Sequence, residues 1–315
     1  MDFRELKYMI AVAESESITA AAKKLYISQP SLSYVISKVE EDLGVKIFDR
    51  KTTPVTLTYA GKRYIEAAKE ILTINDNLRK ELNDIVNEES GEIDLGIPTE
   101  RAGYMLPKVL DKFRKSFPKV NLRLREARSS QIIHDLEDGN IDIAILPGEP
   151  GDLPERFDTE LIYREQLYLV AHPSLITSDM ILEKGRGDRL PLVDLHRMRN
   201  VPFILMSEGQ YIRRYAERIL HDAGINPNEI TVVTSGITAV QLAKAGLGAT
   251  IISERAVIPQ GGTREVPCWR YNGSDMMWDV RAVYKKGAYL SRSARFLIDL
   301  MIEEFGKGQS GKEEN

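Results

Sequence analysis

The chain has a single cysteine, Cys268, in 315 residues. No intramolecular disulfide can form, and a reducing cytoplasm is the natural setting. Its four histidines, His134, His172, His196 and His221, lie far apart, and none stands at metal-ligand spacing. No metal and no cofactor are expected. No apolar run approaches the ~20 residues that a membrane helix needs. The first residues, Met1-Asp2-Phe3-Arg4-Glu5, lack the apolar stretch of a signal peptide. The expectation is a soluble, cytoplasmic protein with no membrane partner. An overall excess of basic charge is also missing. Lys and Arg number 43 against 47 Asp and Glu, a net charge of −4, which argues against a basic nucleic-acid coat. That global figure is silent about a small basic patch on an acidic body.

Apolar residues at 43% and charged residues at 29% are ordinary globular usage, and the length suits roughly two domains of ~150 residues. Residues 1–58 read as three short helices and a ribbon. Phe3, Leu6, Ile10 and Ala13 recur at helical spacing, then Ile18, Ala21, Ala22 and Leu25 behind the N-cap Ser17. A third helix opens at Ser28 with Pro30 in its first turn, buries Leu32, Val35, Ile36, Val39 and Leu43, and stops at Gly44. Extended pieces Val45–Phe48 and Val55–Thr58 flank a basic turn, which makes a helix-turn-helix with a wing. From Tyr59, capped by Thr58, to about Glu88 runs one helix of ~45 Å, with Gly91 as its stop. Tyr64, Ala68, Ile71, Asn75, Leu78, Leu82 and Ile85 step by four and three along it. That is a narrow coiled-coil seam, in which Asn75 can fix register and partner number; the alternative is a helix lying on the core of its own domain.

After Glu92 strands and helices alternate, in the order Ile93–Ile97, a helix through Leu106 and Phe113, Val120–Glu126, a helix through Ile132 and Leu136, and Asp142–Leu146. The order repeats from Phe203–Met206 through Tyr211–Ala223, Thr231–Val233 and Ile237–Ala245 to Ala249–Ser253. Two βαβαβ halves imply an α/β region of two doubly wound lobes. Leu161–Ala171, Arg264–Tyr271 and Trp278–Tyr284 are the expected crossings. The expected domains are therefore 1–58, a linker helix 59–90 and a two-lobed domain 91–305. The first lobe takes 91–161 and 269–305, the second 162–268, and the polar tail 306–315 is expected to be disordered.

Charge placement changes the global reading. Residues 1–65 carry 10 basic and 8 acidic side chains, leaving 33 against 39 for the rest. Neither Ser17–Val39 nor Arg50–Ile65 contains an acid. A surface that docks on phosphates must be cleared of carboxylates. On a helical wheel Pro30, Tyr34 and Ser37 point away from the apolar face, with Ser33 and Lys38 beside them and Gln29 at the leading end. A recognition helix enters the major groove N-terminus first, so Gln29, Pro30, Ser33 and Tyr34 are the candidates for base edges. Ser28, Ser31 and Lys38 suit phosphates, and Thr19, Arg50 and Lys51 complete the expected DNA-contacting set. The competing reading of this segment is a polar-faced helical domain that binds protein.

Four blocks carry a resemblance: Ala-Val-Ala-Glu-Ser-Glu-Ser-Ile-Thr-Ala-Ala-Ala-Lys-Lys-Leu (11–25), Ser-Gln-Pro-Ser-Leu-Ser (28–33), Glu-Glu-Asp-Leu-Gly-Val-Lys-Ile-Phe-Asp-Arg (40–50) and Leu-Thr-Tyr-Ala-Gly (57–61). In order and spacing the N-terminal segment resembles the LysR-type transcriptional regulators. The resemblance implies a winged helix-turn-helix, a linker helix and a two-lobed effector domain similar to type 2 periplasmic solute-binding proteins. It also implies pairing through the linker helices, a homotetramer, and binding to interrupted-dyad operators in double-stranded DNA near the promoters controlled. Position 34, often Arg in that family, is Tyr34 here.

Doubly wound lobes bind ligands at the carboxyl ends of their strands, across a crevice. Those positions are Pro98, Thr99, Glu100 and Arg101, then Ser129 and Ser130 with Pro147-Gly148, in the first lobe, and Ser207 and Ser235 in the second. Helix N-termini there suit a small anionic effector; capping is the ordinary alternative for each hydroxyl. The resemblance adds weight to Thr99, Ser129 and Ser130 and brings in Phe203 as an inducer contact. Glu100 and Arg101 either select a charged ligand or pair with each other. Ala245-Gly246-Leu247-Gly248 follows a helix and precedes a strand, the reverse of a dinucleotide loop, so Gly246 reads as a helix cap. A lone Cys268 cannot form the dithiol switch of some family members and is expected to pack as a small hydrophobe at a crossing. No nucleophile–base–orienter set is readable. An enzyme, or a cytoplasmic two-lobed solute-binding protein without DNA activity, would leave the N-terminal blocks unexplained. The expected mechanism is a population shift: the effector closes the lobes about the crossings near Leu161 and Cys268–Trp269.

Overall fold

In the computed structural model the chain divides into two units, Met1–Ile85 and Val86–Asn315. The structure describes residues 2–50, 54–86, 90–187, 189–226, 230–257, 266–272 and 277–306.

The first unit contains α1 (Phe3–Ser15), α2 (Ile18–Lys24), α3 (Gln29–Leu43), β1 (Phe48–Asp49), β2 (Thr56–Leu57) and α4 (Tyr59–Val86). Each helix starts on a polar side chain that accepts an otherwise free N–H. Asp2 and Glu5 form a capping box, Ser17 accepts from Ala20 N–H, and Ser28 accepts from Ser31 N–H. Thr58 Oγ1 accepts from Gly61 N–H at 2.9 Å and opens α4. Met9, Val12, Ala21, Leu32, Ile36, Val39, Ile47, Phe48 and Ile65 close one core. Leu43, expected inside, is 44% exposed, because the last turn before the Gly44 cap runs past that core. The ribbon is shorter than expected, two residues per strand paired antiparallel. Next to it the Ile47 and Lys46 carbonyls accept from Thr58 N–H and Thr58 Oγ1 instead. Gly61 packs so closely there that a Cβ would lie 2.0 Å from the Ile47 carbonyl oxygen, which accounts for glycine at that place in the Leu-Thr-Tyr-Ala-Gly block.

The seam of α4 is divided in two. Ala68 is buried and Tyr64, partly buried, packs on the unit's own core, so the first two positions of the expected coiled coil are already covered. Farther along, Ile74, Leu78 and Leu82 are 67%, 53% and 50% exposed, an uncovered apolar stripe. The described helix ends at Val86, and Gly91, expected as its stop, is instead the second residue of the following strand.

The second unit opens with β3 (Ser90–Ile97), α5 (Thr99–Ser116), β4 (Lys119–Glu126), α6 (Ser129–Asp138), β5 (Ile143–Pro147) and β6 (Phe157–Val170). There follow β7 (Ile181–Glu183), β8 (Leu192–Val193), β9 (Phe203–Met206), α7 (Tyr211–Asp222), β10 (Ile230–Val233), α8 (Gly236–Lys244), β11 (Thr250–Ser253) and α9 (Glu254–Val257). The chain returns through β12 (Cys268–Tyr271), β13 (Met277–Lys285) and α10 (Arg292–Gly306). The first lobe has strand order β4-β3-β5-β13-β6. In β5, Ile143 and Ile145 pack with α5 and α10, while Ala144 and Leu146 face α6. Strand β3 runs parallel to β4 and β5 while β13 runs antiparallel to β5 and β6, and both faces of β5 are covered. The second lobe repeats the plan, with β10 beside β9 and β11 and β12 antiparallel to β6. The 14-residue β6 belongs to both lobes: Phe157–Gln166 pair with β13, and Leu167–Val170 pair with β11.

Residues 269–271, expected in the first lobe, lie instead in β12. They pair with β6 and β8, and Tyr271 is buried in the second lobe's core. The chain is therefore still in the second lobe at Tyr271. Cys268 is buried there as a small hydrophobe, as expected. Helix α8 ends in a Schellman closure, Gly246 N–H to Ala243 O and Leu247 N–H to Leu242 O, each at 3.1 Å. The expected tail beyond Gly306 lies outside the described residues.

One acid holds the wing to α3. Glu40, its side chain 1% exposed, accepts from the Ile47 and Phe48 N–H groups at 2.9 and 3.1 Å and from Lys46 Nζ at 2.9 Å. Burial works to raise its pKa. The Phe48 N–H, Lys46, the Ile47 N–H and Arg50 outweigh it and hold the carboxyl below the ordinary value. A depressed folded pKa stabilises the fold fully above the unfolded value of ~4.3 and loses that contribution as pH falls through the folded value. Glu40→Gln should cost about 1–3 kcal/mol near neutral pH. The difference from wild type should shrink in acid as the wild-type carboxylate protonates. Chemical unfolding of the full chain, followed through the first unit's transition at both pH values, measures it.

Candidate functional site

On the first unit, Gln29, Pro30, Tyr34 and Lys38 are exposed along α3, with Tyr34 71% accessible. Gln29 Nε2 donates to Ser33 Oγ at 3.0 Å, and Ser28 Oγ and Ser31 Oγ lie 2.7 Å apart. Thr19 is exposed on α2. The tip of the wing, with Lys51, lies outside the described residues. Stretches free of acid in sequence are not all free of acid in space. Arg50 is bound to Glu40 at 3.2 Å, Lys24 to Glu14 at 3.4 Å and Arg63 to Glu66 at 2.6 Å. Lys23, Lys38 and Lys62 are exposed with no ion-pair partner among the described residues. These lysines leave the face net basic.

In the second unit a cleft of about 960 Å³ opens between the lobes. Pro98, Thr99, Glu100, Arg101, Ser129 and Ser235 line it, as expected from the strand ends. Three other expected contacts do not. Phe203 is 1% exposed inside β9 and belongs to the second lobe's core. Ser207 is off the lining, and its Oγ accepts from Gln210 Nε2 at 3.2 Å. Ser130 is a lobe-to-lobe contact, its N–H donating to the Gly209 carbonyl at 3.2 Å. Glu100 and Arg101 do not pair with each other. Adjacent helical residues point in different directions, and here the two serve separate ends.

Arg101 is 6% exposed and bonds Glu165 on β6 at 2.8 Å, together with the Tyr104 and Tyr163 hydroxyls. Trp278 Nε1 donates to the same Glu165 oxygen at 2.8 Å. Burial works against the Arg101 charge; the Tyr104 and Tyr163 oxygens and the Glu165 carboxylate outweigh it and raise its pKa. This group is a fixed, internally neutralised floor.

Unneutralised charge comes from two residues the strand-end survey passed over. Arg128 lies at the end of β4 on the lining, exposed, without an ion-pair partner among the described residues. Arg255 follows β11, in the short helix α9. Its guanidinium lies 4.4 Å from the Tyr163 ring centre and 5.3 Å from that of Phe305. Cation–π contacts orient it without cancelling its charge. Helices α5, α6 and α7 begin on the lining at Thr99, Ser129 and Tyr211, and none has a side-chain cap. The Ser130 N–H of α6 and the Arg213 N–H of α7 have backbone partners; the partial positive charge of the three helix ends adds to the two arginines. Tyr104, Tyr211 and Trp278 supply flat apolar wall. Burial pushes the Tyr211 hydroxyl up to about 12, with Arg214 opposing and Asp152 reinforcing, so it remains a donor at neutral pH. Among the described residues no group of His, Cys, Asp and Glu is placed to hold a metal.

Comparison with known proteins agrees with this division of the chain. The family described as LysR substrate binding domain matches residues 87–306, and the lysR-family bacterial regulatory helix-turn-helix matches residues 3–62. The uncharacterized HTH-type transcriptional regulator YcgK of Bacillus subtilis (strain 168) is 32% identical over 260 residues, 80% of this chain and 79% of its own. HinK, a LysR family transcriptional regulator from Pseudomonas aeruginosa, is 25% identical at a TM-score of 0.57, covering 97% of this chain and 99% of its own. Full-length CbnR complexed with its target DNA is 25% identical at a TM-score of 0.53, covering 96% and 99%.

The floor of the cleft makes a stability prediction. Arg101→Met strands the Glu165 charge in the interior and should cost about 3–5 kcal/mol, whereas Arg101→Met with Glu165→Leu should recover most of that loss. Calorimetric unfolding of the second unit's transition in the full chain distinguishes the two.

Proposed function

Because the chain belongs to the LysR family of DNA-binding transcriptional regulators, we propose how its parts divide that work. The protein is a DNA-binding transcriptional regulator with an effector-binding domain. Helix α3 reads the operator, Gln29, Pro30, Ser33 and Tyr34 facing base edges and Ser28, Ser31, Lys38 and Thr19 facing the backbone. Supporting this is an exposed polar face that starts at the helix N-terminus, beside lysines without internal partners. Arg50, tied to Glu40, serves the wing's position before it serves DNA. Tyr34 in place of a cation shifts base preference toward a thymine methyl.

The effector is a small anion held between the lobes of the second unit. The single observation that carries this is the convergence of three uncapped helix N-termini with Arg128 and Arg255 on one cleft. Thr99, Ser129 and Ser235 contribute hydroxyls. The effector favours one lobe arrangement over another, hinged where β6 passes from β13 to β11, and it acts through that difference in affinity. The role is regulation and not catalysis, exercised in the cytoplasm beside the chromosome. The α4 stripe of Ile74, Leu78 and Leu82 pairs with the same stripe of a second copy, giving a two-fold dimer, an interrupted two-fold operator, and a tetramer when dimers pair.

Gel shifts with genomic fragments test the reading helix. Gln29→Ala with Ser33→Ala should abolish discrimination between operator and random DNA; unchanged discrimination sinks the assignment. Lys38→Ala should weaken both complexes alike and lower the salt slope by about 1. Leu78→Glu with Leu82→Glu should turn the sedimenting species into a smaller one, and an unchanged sedimentation coefficient removes α4 from the interface.

A further inference from the structure

The fourth helix end on the cleft differs from the other three. Helix α8 has its own cap, Ser235, and it also carries an anion supplied by the opposite lobe. Glu100, on α5, accepts through Oε1 from the Gly236 N–H and from Ser235 Oγ, the latter at 3.2 Å. The fit is close. A Cβ on residue 236 would lie 2.6 Å from Glu100 Oε2 and 2.8 Å from Ile252 Cδ1. Glycine at 236 is what leaves room for the carboxylate. Glu100 is therefore seated in a defined place, and its charge stays on the wall of the cleft that faces the incoming ligand.

The cleft's charge is consequently divided. Arg128, Arg255 and the ends of α6 and α7 bring positive charge to the lining, whereas the place where α5 and α8 begin is occupied by the Glu100 carboxylate, itself in the first turn of α5. A ligand with one acidic group finds complementary charge. A second acidic group reaching toward α8 meets Glu100, where like-charge juxtaposition is strongly unfavourable. We propose that Glu100 sets the charge of the effector: the cleft admits a monoanion and turns away a dianion of the same length. This rests on the anionic-effector reading above and narrows it to a class, acids with a single ionised group and an otherwise uncharged body.

Hexanoate and adipate test it, two six-carbon acids that differ by the second carboxylate. Their affinities are measured by calorimetric titration of the full-length protein, its Glu100→Gln variant, and Glu304→Gln as a charge-matched control on α10. The wild type and Glu304→Gln should prefer hexanoate by about tenfold or more, and Glu100→Gln should lose most of that preference. Equal affinities in the wild type, or a preference untouched by Glu100→Gln, overturn the proposal and leave the anionic reading standing. Binding of neither acid to the wild type overturns both. A second measurement is thermal unfolding of Glu100→Ala in acetate against chloride at equal ionic strength. Acetate should stabilise this variant above its effect on the wild type by refilling the seat at α8; equal responses overturn the seat.

Discussion

The buried ion pair between Arg101 and Glu165 stands where the two lobes share a strand, and the cleft is organised around it. Glu165 lies on β6, which pairs with β13 in the first lobe and with β11 and β12 in the second. Arg101 comes from the first turn of α5, and Trp278 from β13 shares the same carboxylate oxygen. Three elements thus converge on one charge that cannot reach solvent. A buried pair of this kind is weak evidence for net stability, because desolvation offsets the attraction. Its geometric effect is stronger. Arg101 is held in one direction and α5 with it, so Glu100, the preceding residue, is held toward α8.

The first unit uses an acid in a similar way at a smaller scale. Glu40 is buried on α3 and satisfies two N–H groups of the wing together with Lys46 and Arg50. It ties the ribbon to the helix proposed to read DNA. In both units a charge that the composition counts as solvated surface is internal scaffolding. Of the charge that remains accessible, the part relevant to the two surfaces is a few lysines on the first unit, and Arg128 with Arg255 on the cleft. The net charge of −4 averages over these roles, so it cannot report on either surface.

Much of this was legible in the chain because it depends on local rules. Helix starts at Ser17, Ser28 and Thr58 are capping chemistry within three residues. The strand–helix alternation after Glu92 is hydrophobic periodicity, and the position of Ser129 and Ser235 on the cleft follows from where strands end in doubly wound lobes. Failures occurred where a contact spans distance. Phe203 lies at the start of its strand and is core, whereas Arg255 lies just after β11 and lines the cleft. Tyr64 and Ala68 continue a seam by spacing, yet they are covered by the core of their own unit. Residues 269–271 look like a return to the first lobe and are a strand of the second, because β6 offers a free pairing edge there.

The sequence by itself determined the order of elements, the acid-free stretches of the first unit and the family to which the chain belongs, because capping, periodicity and motif spacing act over a few residues. Only the tertiary structure decided which charges are spent internally. Arg50, Arg101 and Glu40 find partners 10, 64 and 7 residues away, while Glu100, seated on the N–H of Gly236, 136 residues on, stays on the lining of the cleft. A side chain's charge is written in the sequence; whether that charge is neutralised depends on neighbours that only folding brings within a few ångströms.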